Sequence, residues 1–259
     1  MIKPAGIFLL AAAFAPCARP FPALAQARFG LPGEDGRPAV AVALGQAPWR
    51  ALLRVQTRYG VRCTGFLIAP AIAMTAAHCV FAARTGRVLQ PGSVHVLLRY
   101  RAGSFAAHAQ AARIVLPAGY DPAHEATDAG LDRALLLLDH PIAAPSEVLR
   151  VASRLPTPGT ALALAGYGQD REEIAVQGPP CRLLGIIRDG SEAVLEHDCA
   201  GTRGTSGAPL LARDGSGRWV VIGVQIEARL GGAGGRASAL SVSLPDPAPA
   251  IRSGRPSGK

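Results

Sequence analysis

Three short segments hold residue types that could share protons and attack a carbonyl. They are Thr75-Ala76-Ala77-His78-Cys79, Asp132-Arg133-Ala134-Leu135-Leu136 and Gly204-Thr205-Ser206-Gly207-Ala208-Pro209-Leu210. A serine hydroxyl is a poor nucleophile until a base takes its proton, and an imidazole acting as that base needs an acceptor on its other nitrogen. His78, Asp132 and Ser206 could divide this work among them. Taken singly, each also suits a plainer part: a packed histidine, a strand-start cap and a turn serine. Asp128 lacks the Ala-Leu-Leu continuation that follows Asp132, and Asp139 comes after the apolar run rather than before it. His95, His108, His124, His140 and His197 have no comparable context and read as structural or surface residues.

Cys63, Cys79, Cys181 and Cys199 lie in the same stretch of chain. A fifth cysteine, Cys17, sits in an N-terminal segment that reads as an export signal. Lys3 gives it a positive start, Ala5 to Ala15 an apolar centre, and Ala23-Leu24-Ala25 a small-x-small cleavage site. Removal of residues 1–25 leaves an even number of cysteines in an exported chain, which favours disulfides. Three connectivities are open. Local pairing is the simplest and closes loops of 16 and 18 residues, each worth about 3 kcal/mol by loop entropy. A zinc site built from Cys63, His78 and Cys79 is the competing reading. Adjacent His78 and Cys79 lack ordinary ligand spacing, so no metal is expected.

The elements around these segments read as many short strands. Ala51 to Val55, Gly65 to Ile68, Val94 to Tyr100 and Leu135 to Leu138 are candidates in the first half. Ala161 to Ala165, Leu183 to Ile187, Val194 to Glu196, Ala208 to Leu211 and Trp219 to Ile226 follow in the second, with Arg213 to Gly217 as a hairpin connection. There are no heptads, no repeats and no long amphipathic helix. Spacing of this kind implies an all-β sandwich or a pair of barrels. Pro141 to Pro158 would join the two halves.

With 49% apolar and 17% charged residues, the chain of 259 residues is built to fold. Only 13 residues are aromatic, so the core must use Ala, Val, Leu and Ile. No apolar run approaches the roughly 20 residues that span a bilayer, which excludes an integral membrane segment. The net charge of +9 is not clustered as nucleic-acid contacts are, so no nucleic-acid partner is expected. Residues 246–259 form a basic tail rich in Pro, Gly and Ser.

Together the three segments resemble the trypsin/chymotrypsin-like serine peptidases, whose signatures are TAAHC, D-x-A-L-L and G-x-S-G-x-P. The order His, Asp, Ser is that family's and differs from the orders of subtilisins and α/β-hydrolases. Pro48-Trp49, Cys63-Thr64-Gly65-Phe66-Leu67-Ile68, Gly166 to Asp170 and Cys199 to Leu211 look like the bacterial secreted branch near glutamyl endopeptidases. The resemblance spans about Pro48 to Ile226. It implies two six-stranded antiparallel β-barrels (48–145 and 146–245) with the active site in the cleft between them. Residues 26–47 would be a propeptide or N-terminal arm.

On that template Ser206 is the nucleophile, His78 the general base and then acid, and Asp132 the group that orients and charges His78. The N–H groups of Gly204 and Ser206 would form the oxyanion hole. Cys63 and Cys79 match the bridge beside the family's catalytic histidine. The implied protein is a secreted or periplasmic endopeptidase that needs no cofactor, acts as a monomer and takes protein or peptide substrates.

Departures from the family fall in the substrate pocket and the activation site. Thr205 stands where pancreatic enzymes have the aspartate that receives a freed N-terminus. Ala200 stands where trypsin-type pockets carry an acid, and Gln225 where glutamyl endopeptidases carry histidine. Thr202, Arg203 and Gln225 are the candidate pocket wall, with Asp198 and Glu227 nearby. The competing class of function is a catalytically inactive secreted homologue that binds anionic surfaces. The four intact residues His78, Asp132, Ser206 and Gly204 argue against it. An exported esterase would use the same triad.

Overall fold

The computed structural model describes residues 39–169, 171–189, 192–229 and 234–240. The expected export signal, most of the expected propeptide and the basic tail lie outside these residues. Strands follow in chain order as β1 (Val40–Ala41), β2 (Leu52–Thr57), β3 (Arg62–Ala69), β4 (Ile72–Thr75), β5 (Phe81–Ala82) and β6 (Arg87–Val88). β7 (Val94–Leu98), β8 (Ala107–Val115), β9 (Ala134–Leu138) and β10 (Arg150–Val151) complete the first part. The second part contains β11 (Ala161–Gly166), β12 (Val176–Gln177), β13 (Cys181–Asp189), β14 (Glu192–His197), β15 (Pro209–Arg213), β16 (Trp219–Ala228) and β17 (Gly235–Ala239).

Two barrels result. β2, β3, β4, β9, β8 and β7 close on themselves in that order. β11, β13, β14, β17, β16 and β15 form the second ring, because β11 pairs with both β13 and β15. Closure leaves neither ring with a free edge, so small barrels need no covering helices. Inward residues fill each ring. Leu53, Val55, Phe66, Leu67, Met74 and Leu136 pack the first, and Leu162, Leu164, Leu183, Leu195, Leu210 and Ile222 the second. Among the described residues no helix is long and apolar enough to cross a membrane.

The all-β, double-barrel expectation therefore holds, and each anticipated strand overlaps an observed one. Three barrel strands were not anticipated: β4, β8 and β17. β4 was hidden in the continuous apolar run from Phe66 to Met74, which a tight turn at residues 70–71 folds back on itself. β8 reads Ala-His-Ala-Gln-Ala-Ala-Arg-Ile-Val and β17 Gly-Arg-Ala-Ser-Ala. Neither is rich in the β-branched and aromatic residues that mark strands. Both are held by barrel closure rather than by propensity.

Two further pairings tie the chain together. β10, in the segment that joins the barrels, runs parallel to β16 with Arg150 opposite Val220. β1 pairs with β12, so the arm before the first barrel is sewn onto the second. Arg213 to Gly217 forms the turn of the β15–β16 hairpin. The Asp214 carboxylate closes that turn by accepting from the Ser216 N–H, the Ser216 hydroxyl and the Arg218 N–H.

Candidate active site

β4 and β9 are antiparallel neighbours with Thr75 opposite Ala134. The chain leaving β4 and the chain entering β9 therefore lie side by side. His78 sits in the 3-10 turn Ala77–Val80 just past β4, and Asp132 follows the 3-10 turn Ala129–Leu131 just before β9. One carboxylate oxygen of Asp132 accepts the His78 backbone N–H at 3.0 Å, and the other lies 2.7 Å from His78 Nδ1. Ionised Asp132 only accepts, so Nδ1 carries the hydrogen and the Nε2 lone pair is left free. Asp132 is 4% accessible, whereas a quarter of the His78 side chain reaches solvent. Burial alone would lower the His78 pKa. The hydrogen bond and charge of Asp132, with the charge of Glu125, outweigh it and leave the pKa raised above 6.5.

The rejected acids have other partners. Asp128 accepts from the Asp121 N–H, and Asp139 accepts from the Gln110 N–H and pairs with His140. Cys63 and Cys79 form one disulfide and Cys181 and Cys199 the other. The local pairing is thus the observed one. Cys63, His78 and Cys79 do cluster, but the two sulfurs are bonded to each other and cannot serve as thiolate ligands.

Ser206 lies in the turn between β14 and β15. Thr205 shapes that turn, since its N–H and its hydroxyl both donate to the Thr202 carbonyl. Gly204 and Gly207 have φ of 93° and 85°, a region other residues rarely adopt. A Cβ at Gly204 would collide with the Tyr167 carbonyl oxygen, and one at Gly207 with the Thr64 carbonyl and Thr75 hydroxyl oxygens. Among the described residues, neither the Gly204 nor the Ser206 N–H has an acceptor.

Thr64 of β3 holds this turn against the first barrel. Its N–H donates to the Ser206 carbonyl at 2.8 Å and its hydroxyl to the Gly204 carbonyl at 2.8 Å. The same hydroxyl accepts the Tyr167 N–H at 2.9 Å, and the Thr64 carbonyl accepts the Thr75 hydroxyl at 2.8 Å. Cys63, next to Thr64, is bridged to Cys79, next to His78. The Ser206 turn is thus tied, through Thr64 and the adjoining Cys63–Cys79 bridge, to the segment that carries His78. Among the described residues no hydrogen bond links Ser206 to His78. Such bonds often tighten only when substrate is bound.

Of the three candidate pocket residues, Thr202 and Gln225 are buried and Arg203 is exposed. Thr202 is buried and donates to the Arg203 carbonyl. Arg203 is exposed and borders a cavity of about 410 Å³ with Arg62, Tyr167, Glu172 and Gly204. Gln225 is 1% accessible. Its carbonyl oxygen lies 2.7 Å from His197 Nε2, and its amide donates to the Glu227 carbonyl at 2.8 Å. His197 Nδ1 accepts the Cys199 N–H at 3.1 Å, so Nε2 carries the hydrogen. Burial lowers the His197 pKa to about 4, despite the Gln225 hydrogen bond, so the pair is uncharged at neutral pH. Asp198 caps the Arg182 N–H, and Glu227 pairs with Arg236.

Some site residues carried no functional mark in the sequence. Thr64 stood inside a quoted motif without a role. His197 read as structural, yet it lies against Gln225. Strict alternation of Ala193, Leu195 and His197 along β14 was a signal that it points inward. Tyr120 had no signal at all. Its buried hydroxyl lies close to the Asp132 carboxylate. Burial, with the charges of Asp132, Glu125 and Asp128 around it, holds the phenol proton on and raises its pKa.

The trypsin-like peptidase domain, compared as a family profile, matches residues 63–224. A solved structure of a Glu endopeptidase in complex with MPD is similar with a TM-score of 0.64, over 79% of this chain and 91% of that chain. The two are 18% identical, so this likeness is one of fold. The profile spans more than half of the sequence and contains the His78, Asp132 and Ser206 segments, and the chain belongs to the trypsin-like peptidase domain family.

Proposed function

We propose that the protein is an exported serine endopeptidase working through Ser206, His78 and Asp132. The observation that carries this reading is the double hold of Asp132 on His78, at 3.0 and 2.7 Å, beside the joint where Thr64 anchors the Ser206 turn. Ser206 Oγ attacks the scissile carbonyl while His78 Nε2 takes its proton. Asp132 keeps Nδ1 protonated and balances the imidazolium. The N–H groups of Gly204 and Ser206 receive the oxyanion, and loss of one such donor costs about 3 kcal/mol of transition-state stabilisation. His78 then protonates the leaving amine, and the acyl-enzyme is hydrolysed by water activated on the same nitrogen.

The acyl-side pocket is formed by Thr202 and Gln225, with Ala200 at the place of an acid. Its buried Gln225–His197 pair is neutral, which favours an uncharged side chain before the scissile bond. Arg203, at the border of the cavity next to Gly204, faces the leaving side. The two disulfides support an oxidising compartment, hence secretion or the periplasm. Trimming upstream of Val40 would leave the β1 arm in place on β12.

The test is intact mass after treating the processed protein with a fluorophosphonate, beside Ser206→Ala. A single adduct on the wild type alone is expected. No adduct on folded, processed wild type overturns the reading and leaves the inactive binding homologue in its place.

A further inference from the structure

A second cavity shares no residue with the site above. It has a volume of about 460 Å³ and opens on the second barrel, between the inter-barrel segment around β10 and the β15–β16 hairpin. Arg150, Arg154, Arg213 and Arg218 all border it, against one acid, Asp214. Asp214 is committed to Arg218, whose guanidinium meets the carboxylate at 3.1 and 3.2 Å. The Arg213 guanidinium carbon lies over the Trp219 ring, 4.2 Å from its centroid, and the same group donates to the Gly217 carbonyl, which restrains it. Arg150 and Arg154 have no ion-pair partner among the described residues. At the bend beside them, the Ser153 N–H, the Arg154 N–H and the Ser153 hydroxyl likewise have no acceptor among the described residues.

Beneath the rim the floor is apolar. Ala152, Val220 and Ile222 are buried there. Cations gathered over a low-dielectric floor repel one another and focus their field into the cavity. This arrangement is costly without a counter-ion and favourable with one.

We propose that this cavity binds a multiply charged tetrahedral oxyanion, a phosphate or sulfate group carried in a short chain or on a polymer. With Asp214 taken by Arg218, the charge excess of three leaves Arg150, Arg154 and Arg213 without a carboxylate at this cavity. Guanidinium forks fit pairs of oxygens on a tetrahedral anion, and Arg213 is already restrained by Trp219 and the Gly217 carbonyl. The space exceeds one such group, so neighbouring anions of a polymer fit better than an isolated ion. Anchoring here leaves the catalytic joint open, because the two places have no residue in common.

The experiment titrates the processed protein with tripolyphosphate by calorimetry and by tryptophan fluorescence, since Trp219 lies under Arg213. Buffer salt is about 0.15 M, where diffuse attraction is largely screened. Saturable binding is expected. The double variant Arg150→Ser/Arg154→Ser should bind about 100-fold more weakly, roughly tenfold for each charged hydrogen bond lost. Its fluorophosphonate labelling should equal wild type, since neither residue belongs to the catalytic machinery. Arg58→Ser/Arg101→Ser, which removes the same charge from exposed positions elsewhere, should bind as wild type does. A sulfated disaccharide in place of tripolyphosphate separates sulfate from phosphate as the source. No saturable binding, equal loss in both double variants, or tighter binding of a hexaglutamate peptide would each overturn the proposal.

Discussion

Thr64→Val removes one hydroxyl from the joint between the barrels and changes little else in shape. The hydroxyl is fully buried and serves two main-chain groups, the Gly204 carbonyl at 2.8 Å and the Tyr167 N–H at 2.9 Å. Valine leaves both without their partner. Each unsatisfied buried group costs about 1–3 kcal/mol, so the variant should lose about 2–4 kcal/mol of stability after partial relaxation. A second effect falls on catalysis. The Gly204 carbonyl loses its tether to β3, and the Gly204 N–H, joined to that carbonyl only through the φ and ψ of Gly204, is no longer held in direction by the fixed positive-φ turn. If that N–H no longer meets the oxyanion, kcat should fall about 100- to 1,000-fold, the measured range for one lost oxyanion donor. KM for a small ester should move little, because the hydrogen bonds of Thr64 go to Gly204, Ser206, Tyr167 and Thr75 rather than to Thr202 or Gln225. Urea unfolding and ester hydrolysis on the processed protein read the two effects separately. Thr64→Ser keeps the hydroxyl and should stay close to wild type in kcat. A Thr64→Val variant within about 0.5 kcal/mol of wild-type stability and within twofold in kcat would refute the claim that this hydroxyl holds the turn.

Two further outcomes concern pH. His78 must be neutral to accept the Ser206 proton, and Asp132 raises its pKa. Activity should therefore be full at high pH and fall as pH drops through a midpoint above 6.5, read from kcat/KM over about pH 5 to 9; Asp132→Asn should move that midpoint down, and a wild-type midpoint below 6 would contradict the assignment. His197 acts on stability with the sign of a depressed group. Its pKa is about 4 in the fold against 6.5 in the ordinary state, so below 6.5 the unfolded chain takes up a proton that the native state refuses. Between about pH 7 and 4.5 this costs about 2–3 kcal/mol. Urea midpoints for wild type and His197→Gln should show that excess loss in the wild type alone, and parallel losses would sink it.

Much of the site was legible because its chemistry is written in contiguous letters. Thr75 to Cys79 and Gly204 to Pro209 keep their meaning without knowledge of packing, since a glycine is needed at Gly204 and Gly207 wherever the chain goes. The pocket was less legible. Thr202, Arg203 and Gln225 look like one wall along the sequence, yet Gln225 is drawn inward by His197 while Arg203 stays at the surface. That division depends on how β14 pairs with β17 and β17 with β16, which sets His197 against Gln225 and is a property of the barrel's register rather than of any segment. β17 itself was invisible for a related reason. Its Ala237 and Ser238 are fully buried, and small residues are chosen where strands crowd, which erases the usual strand composition.

The segments that carry Asp132 and Ser206 are each anchored on the barrel they do not belong to. Ser206 and Gly204, from the second barrel, are bonded to Thr64 of the first. Arg133, next to Asp132 in the first barrel, pairs with Glu192 of β14 at 2.7 Å and reaches Ser238 of β17 at 3.3 Å. Ser238 in turn donates to the Gly130 carbonyl at 2.8 Å. A tilt of one barrel against the other must break both anchors, including the hydrogen bonds of buried Ser238 and Thr64 and the partly buried Arg133–Glu192 pair. The placement of these segments is therefore set by cross-barrel bonds among a few residues, while the barrel cores need only alternation and closure. This accounts for an Ala- and Leu-filled fold that shares 18% of its residues with a Glu endopeptidase and keeps its likeness to it in the course of the chain.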